Sequence, residues 1–184
     1  SHPRKWNTNM AATTVKRDTP KRFGASKAYP MAATTAVLQG TIAAQDTAGR
    51  ACIATADNTK IIVGMYAKSY DNSTGAAADL TAQVEEGVFR WANGDAITIA
   101  SRSLVCYAQD NQTVWLDSNG GARPPAGRIV DVDSDGVWVE MSLFIASEMS
   151  SAEVPQSRNL IAGSGLTGGG TLAADRTFTV GAGT

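Results

Sequence analysis

The chain is poor in the groups that most enzyme chemistry uses. Its 184 residues contain one histidine, His2, and two cysteines, Cys52 and Cys106. A histidine so near the start, in a polar segment, leaves neither thiol with a credible imidazole partner. A histidine-based nucleophile triad and a Cys/His zinc site are both disfavoured. Two cysteines do not make a disulfide scaffold, so both are expected to be reduced, intracellular core side chains. No apolar run approaches the ~18 residues of a membrane helix. The opening Ser1-His2-Pro3-Arg4-Lys5-Trp6-Asn7 has the charge of a signal-peptide start but no apolar stretch after it, so secretion by that route is not expected. Proline is scarce, and no long helical period separates the apolar segments. A dinucleotide-binding α/β arrangement is therefore not expected.

Net charge is also nearly absent, at -1, but this sum hides a division. Residues 1–50 carry Arg4, Lys5, Lys16, Arg17, Lys21, Arg22, Lys27 and Arg50 against Asp18 and Asp46, whereas residues 51–146 carry twice as many acidic as basic groups. Complementary fields of this kind guide docking, either on a partner or between parts of an assembly. Residues 1 to about 30 show neither period 2 nor period 3.6 and read as an arm, with Trp6, Phe23 and Tyr29 spaced along it. Residues 31–50 read as a transition into the body, in which Met31 to Leu38 suits either a short helix or a strand, ended by Gln39-Gly40.

What is abundant is small residues and short β-patterned runs. Lys60 to Tyr66 is β-branched and short, and Leu80, Ala82 and Val84 alternate with polar residues. Gly87 to Ala92 reads as a strand ended by Asn93-Gly94, after which Ile97 and Ile99 are expected to resume the alternation. Leu104 to Ala108, Val114 to Leu116, Gly127 to Val132 and Gly136 to Met141 complete the set, with Asp133 to Gly136 as a hairpin turn. Asp71 to Gly75 and Asp117 to Gly121 read as loops. The expectation is an all-β fold, a small antiparallel β-barrel or sandwich, with an extended N-terminal arm and a glycine-rich C-terminal tail. Three regions follow: 1–50 arm and transition, 51–146 β-rich body, and 147–184 extension with a possible strand.

Several segments approach known chemical motifs and fall short of their requirements. Asp131-Val132-Asp133-Ser134-Asp135-Gly136 begins like a helix-loop-helix calcium loop, but the position needing a bidentate Glu is Ser142 and both flanks read as strands. A hairpin turn is expected there. Gly165 to Gly170 lacks the Gly-Lys-Ser/Thr ending of a phosphate-binding loop. Glu85 and Glu86 are adjacent, so a strand points them to opposite faces and they should not converge on one substrate. Trp91, Trp115 and Trp138 read as core aromatics rather than a carbohydrate platform. The basic arm suits phosphate, and its aromatics suit base stacking. The acidic body works against a broad nucleic-acid surface, so direct nucleic-acid binding is not expected. No catalytic residue, metal or cofactor is assigned.

From Ile61 through Met141 the chain resembles a widespread family of small bacteriophage capsid decoration, or cement, proteins. The residues that carry the likeness are Thr81-Ala82-Gln83-Val84-Glu85-Glu86-Gly87-Val88-Phe89, Gly94-Asp95-Ala96-Ile97, and Ala126-Gly127-Arg128-Ile129-Val130-Asp131-Val132 with Asp133-Ser134-Asp135-Gly136-Val137-Trp138-Val139. The resemblance implies a β-barrel, often trimeric, on the outer surface of a phage head. It also implies synthesis in the host cytoplasm and the major capsid protein as partner. Arg4, Lys5, Trp6, Lys16, Arg17, Lys21, Arg22, Phe23 and Lys27 are then the candidate capsid-binding arm, with Trp6 and Phe23 as apolar anchors. Ala162 to Val180 is similar to a recurrent segment of trimeric phage fibre proteins. That likeness makes Leu166, Leu172, Phe178 and Val180 candidates for intersubunit contacts, and a fibre protein a possible partner. The long arm and the tail both depart from minimal cement proteins.

Overall fold

The computed structural model describes residues 12–21 and 26–142 and, of the C-terminal part, 159–161, 164, 166–167, 169–171, 177 and 179–180. The chain divides into two compact units, Ser1–Met149 and Ser150–Thr184. In chain order the first strands are β1 (Ser26–Pro30), β2 (Thr35–Val37), β3 (Ile42–Gln45), β4 (Ala51–Ile53), β5 (Ile61–Tyr66), β6 (Tyr70–Asn72), β7 (Thr81–Glu85) and β8 (Gly87–Asn93). A 3-10 turn at Ile99–Ser101 precedes β9 (Val105–Ala108), β10 (Thr113–Trp115), β11 (Pro125–Asp133) and β12 (Gly136–Met141). That turn is the helical content among the described residues.

Two structures share the first unit. An antiparallel sheet runs in the order β1-β7-β5-β3-β4, and a closed five-stranded barrel runs β10-β8-β12-β11-β9. The all-β expectation holds, with an added sheet and one correction to the barrel. β8 and β10 pair in parallel, Thr113 opposite Ala92, so the barrel is not antiparallel throughout. Two consecutive hairpin-type pairings cannot bring these strands together, because β9 lies on the other side of β10.

Period 2, reset in β5 by a register shift opposite Ala43 and Ala44, decides which side of the sheet each residue serves. Ile42 and Ala44 of β3, Cys52 of β4 and Ile62 and Met65 of β5 join the barrel residues Phe89, Trp91, Cys106, Ile129 and Val139 in one core. Ala43, Ala51, Val63 and Tyr66 face the other way, into a second core with Tyr29, Met31, Val37, Ala82 and Val84. The β2–β6 ladder contributes Val37 and the flanking Tyr70 to that second core. A sheet buried on both faces needs near-continuous apolar strands, which is why Ile61–Tyr66 has no polar alternation. Fully buried Ala43, Ala44, Ala51 and Ala82 let the layers approach closely. The Tyr66 hydroxyl, deep in this layer, donates to Cys52 O at 2.8 Å, so its polar end is satisfied. Residues 26–50, read from sequence as arm and transition, thus supply β1, β2 and β3.

The segment after Asn93 also differs from expectation. Ile97 and Ile99 do not extend a strand. Asn93 Nδ2 donates to Ile97 O at 2.8 Å while its Oδ1 accepts Ile97 N–H at 2.9 Å, which curls the chain into a compact loop. Ile97 turns inward and Ile99 stays 53 % exposed in the 3-10 turn. The Asp71 to Gly75 loop is shorter than expected, because β6 takes Tyr70–Asn72.

The second unit contains β13 (Asn159–Ile161), β14 (Leu166–Thr167), β15 (Gly169–Thr171) and β16 (Thr179–Val180). They form two separate antiparallel ladders, β13 with β15 and β14 with β16. The possible strand expected in the tail is therefore four short ones.

Candidate functional site

The basic segment 12–21 lies as a strap across its own body. At its start Thr13 and Asn111 form a reciprocal pair: Thr13 N–H donates to Asn111 Oδ1 at 3.1 Å, and Asn111 Nδ2 donates to Thr13 O at 3.2 Å. The side chain of Asn111 imitates a strand partner for the strap. Its neighbour Asp110 holds the supporting loop by accepting the N–H groups of Gln112 and Thr113, both at 2.9 Å. Further along, Arg17 N–H donates to Gln39 O at 3.2 Å and Thr19 Oγ1 donates to Gly40 O. Gly40, at φ +75°, is required here, since a Cβ would overlap the carbonyl oxygen of Arg17. The strap ends with Arg90 N–H on Pro20 O at 3.4 Å and a bridge between Lys21 and Phe89.

Arg17 is the central contact. Its guanidinium lies 5.2 Å from the Trp91 ring centroid, Nη2 donates to Arg90 O at 3.1 Å, and Nη1 donates to Gln112 O at 3.3 Å. Loss of hydration, with the nearby Arg90 charge, lowers its pKa to about 10 despite the opposing pull of Asp110. The sequence assigned this side chain to an external capsid surface. The structure instead spends it on the barrel, because an indole face, a carbonyl within β8 and the carbonyl just before β10 offer it fixed partners. Lys21 and Lys27 also turn to the chain's own carboxylates, Lys21 Nζ 2.8 Å from Glu85 Oε2 and Lys27 Nζ 2.7 Å from Glu86 Oε1. The hydrogen bond that Lys27 donates to Glu86 raises the Lys27 pKa, against a smaller opposing effect of burial. Lys16 remains exposed. Arg4, Lys5, Trp6, Arg22 and Phe23 lie outside the described residues, as do Leu172 and Phe178. Leu166 sits opposite Val180 in the β14–β16 ladder, and Val180 is 78 % exposed.

The strap also borders a cavity of about 270 Å³ lined by Thr13, Val37, Leu38, Ile53, Tyr66 and Asn111. Sequence reasoning missed the strap's receptor, the loop of Asp110, Asn111 and Gln112. These residues read only as a polar turn, because their partners lie far away in the chain.

The aromatics follow a shared pattern. Trp91 is fully buried, while Trp115 and Trp138 are partly so. Arg123 lies 4.3 Å from the Trp115 centroid and Arg90 5.7 Å from that of Trp138. The Trp138 N–H donates to Asp133 Oδ2 at 2.6 Å. With an arginine over its ring and its N–H engaged, Trp138 is packed as a structural aromatic.

The three aspartates of the β11–β12 turn have separate partners. Asp131 Oδ1 accepts Arg102 Nη2 at 2.9 Å, Asp135 Oδ2 accepts Arg90 Nη1 at 2.8 Å, and Asp133 Oδ1 accepts the N–H groups of Asp135 and Gly136 at 2.8 and 3.0 Å. The turn is the expected hairpin. Among the described residues no group of three or more His, Cys, Asp or Glu side chains converges as metal ligands. Glu85, at the end of β7, and Glu86, in the link to β8, go to different lysines. Burial pushes the Cys52 thiol up to about 11 and the Cys106 thiol up to about 12, so both stay protonated at neutral pH. No helix of the described residues is long and apolar enough to cross a membrane.

The fold and these contacts define an all-β body with a closed barrel, a doubly buried sheet and a docked basic strap. Comparison of the chain with family models, curated proteins and solved structures finds no match.

Proposed function

We propose that this chain is a non-enzymatic capsid decoration protein that binds the outer surface of a phage head and ties neighbouring major capsid proteins together. The observation that carries the assembling role is the architecture of the second unit. Its described strands form two-stranded ladders, and Ile161 and Val180 on them are 88 % and 78 % exposed. A two-stranded ladder is marginal by itself in water, and its apolar side chains gain most by burial against more protein. The ordered likeness of residues 61–141 to cement proteins supports the head surface as the location. The body, buried on both faces of its sheet, is a stiff platform for such bridging. A homotrimer places several such contacts on one lattice position, so that many must break together.

A fibre-associated or receptor-binding module is the second reading. The β14–β16 pairing favours it, because it falls inside the segment similar to phage fibre proteins. Cosedimentation with phage heads lacking their decoration protein separates the two. Saturable binding of the full chain, weakened by removing residues 1–11 together with Lys16→Glu, is the expected result. Absence of binding by the full chain would overturn the capsid assignment and put the fibre reading first.

A further inference from the structure

Asn-Gly occurs twice in the chain, at Asn93-Gly94 and Asn119-Gly120. Both pairs read as turns, but the structure treats them in opposite ways. At the first, the carboxamide is fully engaged: Nδ2 donates to Ile97 O at 2.8 Å, and Oδ1 accepts the N–H groups of Ile97 and Asp95 at 2.9 and 3.3 Å. The Gly94 N–H donates to Val114 O at 3.0 Å. Gly94 is buried, and a Cβ there would overlap the indole of Trp115.

At the second pair none of these restraints is present. Asn119 is exposed and holds φ +54°, followed by Gly120 at +63° and Gly121 at +87°. The backbone of Asn119 is used, its N–H on Asp117 Oδ1 at 3.0 Å and its carbonyl accepting Ala122 N–H at 3.2 Å. Its carboxamide and the Gly120 N–H meet no hydrogen-bond partner among the described residues. A Cβ added to Gly120 would find nothing within 4 Å, so the space around the peptide nitrogen is open to water and base. An asparagine in the left-handed region is under mild strain. The hydrogen bonds that hold the turn fall on Gly121, whose N–H donates to Ser118 O at 3.2 Å and whose carbonyl accepts Asn58 Nδ2 at 2.7 Å, and leave the Asn119 carboxamide and Gly120 N–H unengaged among the described residues.

We propose that Asn119 is a modification site, converting spontaneously in the folded protein through a succinimide to aspartate and isoaspartate, while Asn93 is protected. The Gly120 amide nitrogen gives its proton to hydroxide and attacks Asn119 Cγ. A new C–N bond closes the five-membered imide, and Nδ2 leaves as ammonia after taking a proton from water. Water then opens the imide at either carbonyl, giving aspartate or isoaspartate. The net change is one water consumed and one ammonia released, with no oxidant or cofactor. The isoaspartyl product lengthens the backbone inside the turn that sets Arg123 N–H on Ser118 O at 3.0 Å and Arg123 over Trp115.

The experiment is incubation of the folded full chain at mildly alkaline pH, followed by tryptic mapping with fragmentation that distinguishes isoaspartate. Peptide 91–102 reports Asn93, and peptide 103–128 reports Asn119 and Asn111 by fragment position. The expected result is a gain of one mass unit at Asn119 that grows with time, with Asn93 unchanged. In denaturant both sites should convert, which shows that the fold supplies the protection. Gly120→Ala should slow conversion at Asn119 several-fold; because φ +63° strains an alanine, the comparison is made well below the variant's own, slightly lowered unfolding midpoint. An intact Asn119 in the folded protein, or conversion of Asn93 at the same rate, would overturn the proposal.

Discussion

A guanidinium held over an indole and between two carbonyl oxygens has exchanged mobile water for fixed partners. Removing it uncovers the Trp91 face and takes one donor from each of the Arg90 and Gln112 carbonyls, of which Gln112 O keeps the Ala92 N–H at 3.0 Å. Arg17→Ala should therefore lower stability by about 2 kcal/mol, from lost cation–π and charge-assisted hydrogen bonding. Urea unfolding followed by tryptophan fluorescence checks this, and Lys16→Ala, one position away and exposed, should leave the midpoint within error. Equal effects of the two substitutions would mean that Arg17 is not the strap's anchor. This role was not legible in the sequence. The two carbonyl partners lie 73 and 95 positions along the chain, and no local pattern points to them. The basic character of the arm was readable; the body as its acceptor was not.

Hairpin β11–β12 was legible, because every cue for it is local. Asp-Gly marks the turn and alternation marks both strands. Its pH response follows from Asp133. Burial disfavours the charged carboxylate, but the Trp138 and Asp135 N–H groups, the Arg90 charge and the Gly136 N–H outweigh that effect and hold the pKa below the usual carboxylate value. A carboxyl depressed on folding contributes stability that is complete above its unfolded pKa and is lost as pH falls through the folded one. The Trp138 indole N–H resonance should thus be constant near neutrality and move only below about pH 4. Asp133→Asn should flatten that acid transition; an unchanged transition would assign it to another group. The Asn93 loop was misread because Asn-Gly after a strand commonly starts a hairpin. Here the Asn93 side chain bonds to Ile97 and outcompetes a returning strand, a choice made by tertiary burial of Ile97.

At the scale of the molecule, the first unit is closed and the second is open. The barrel has no free edge, and β3 and β5 of the sheet have both faces covered, so the two cores of the first unit are built from its own residues. The ladders of the second unit leave Ile161 and Val180 exposed. If these faces pack against other copies, Ile161→Glu combined with Val180→Glu should shift the protein from oligomer to monomer in sedimentation equilibrium, with the unfolding midpoint of the barrel unchanged. A mass independent of both substitutions would remove these residues from the assembly surface.

Local chemistry determined most of the strands from Ile61 onward and the β11–β12 turn, because strand period and turn residues act over a few positions. Tertiary structure alone decided that residues 26–50 supply strands to a sheet, that β10 lies parallel to β8, that Arg17 is consumed within the chain, and that one Asn-Gly is locked while its twin is open. Each of these depends on which distant backbone and side-chain groups remain to be satisfied once two layers close on each other, a condition that no short stretch of sequence contains.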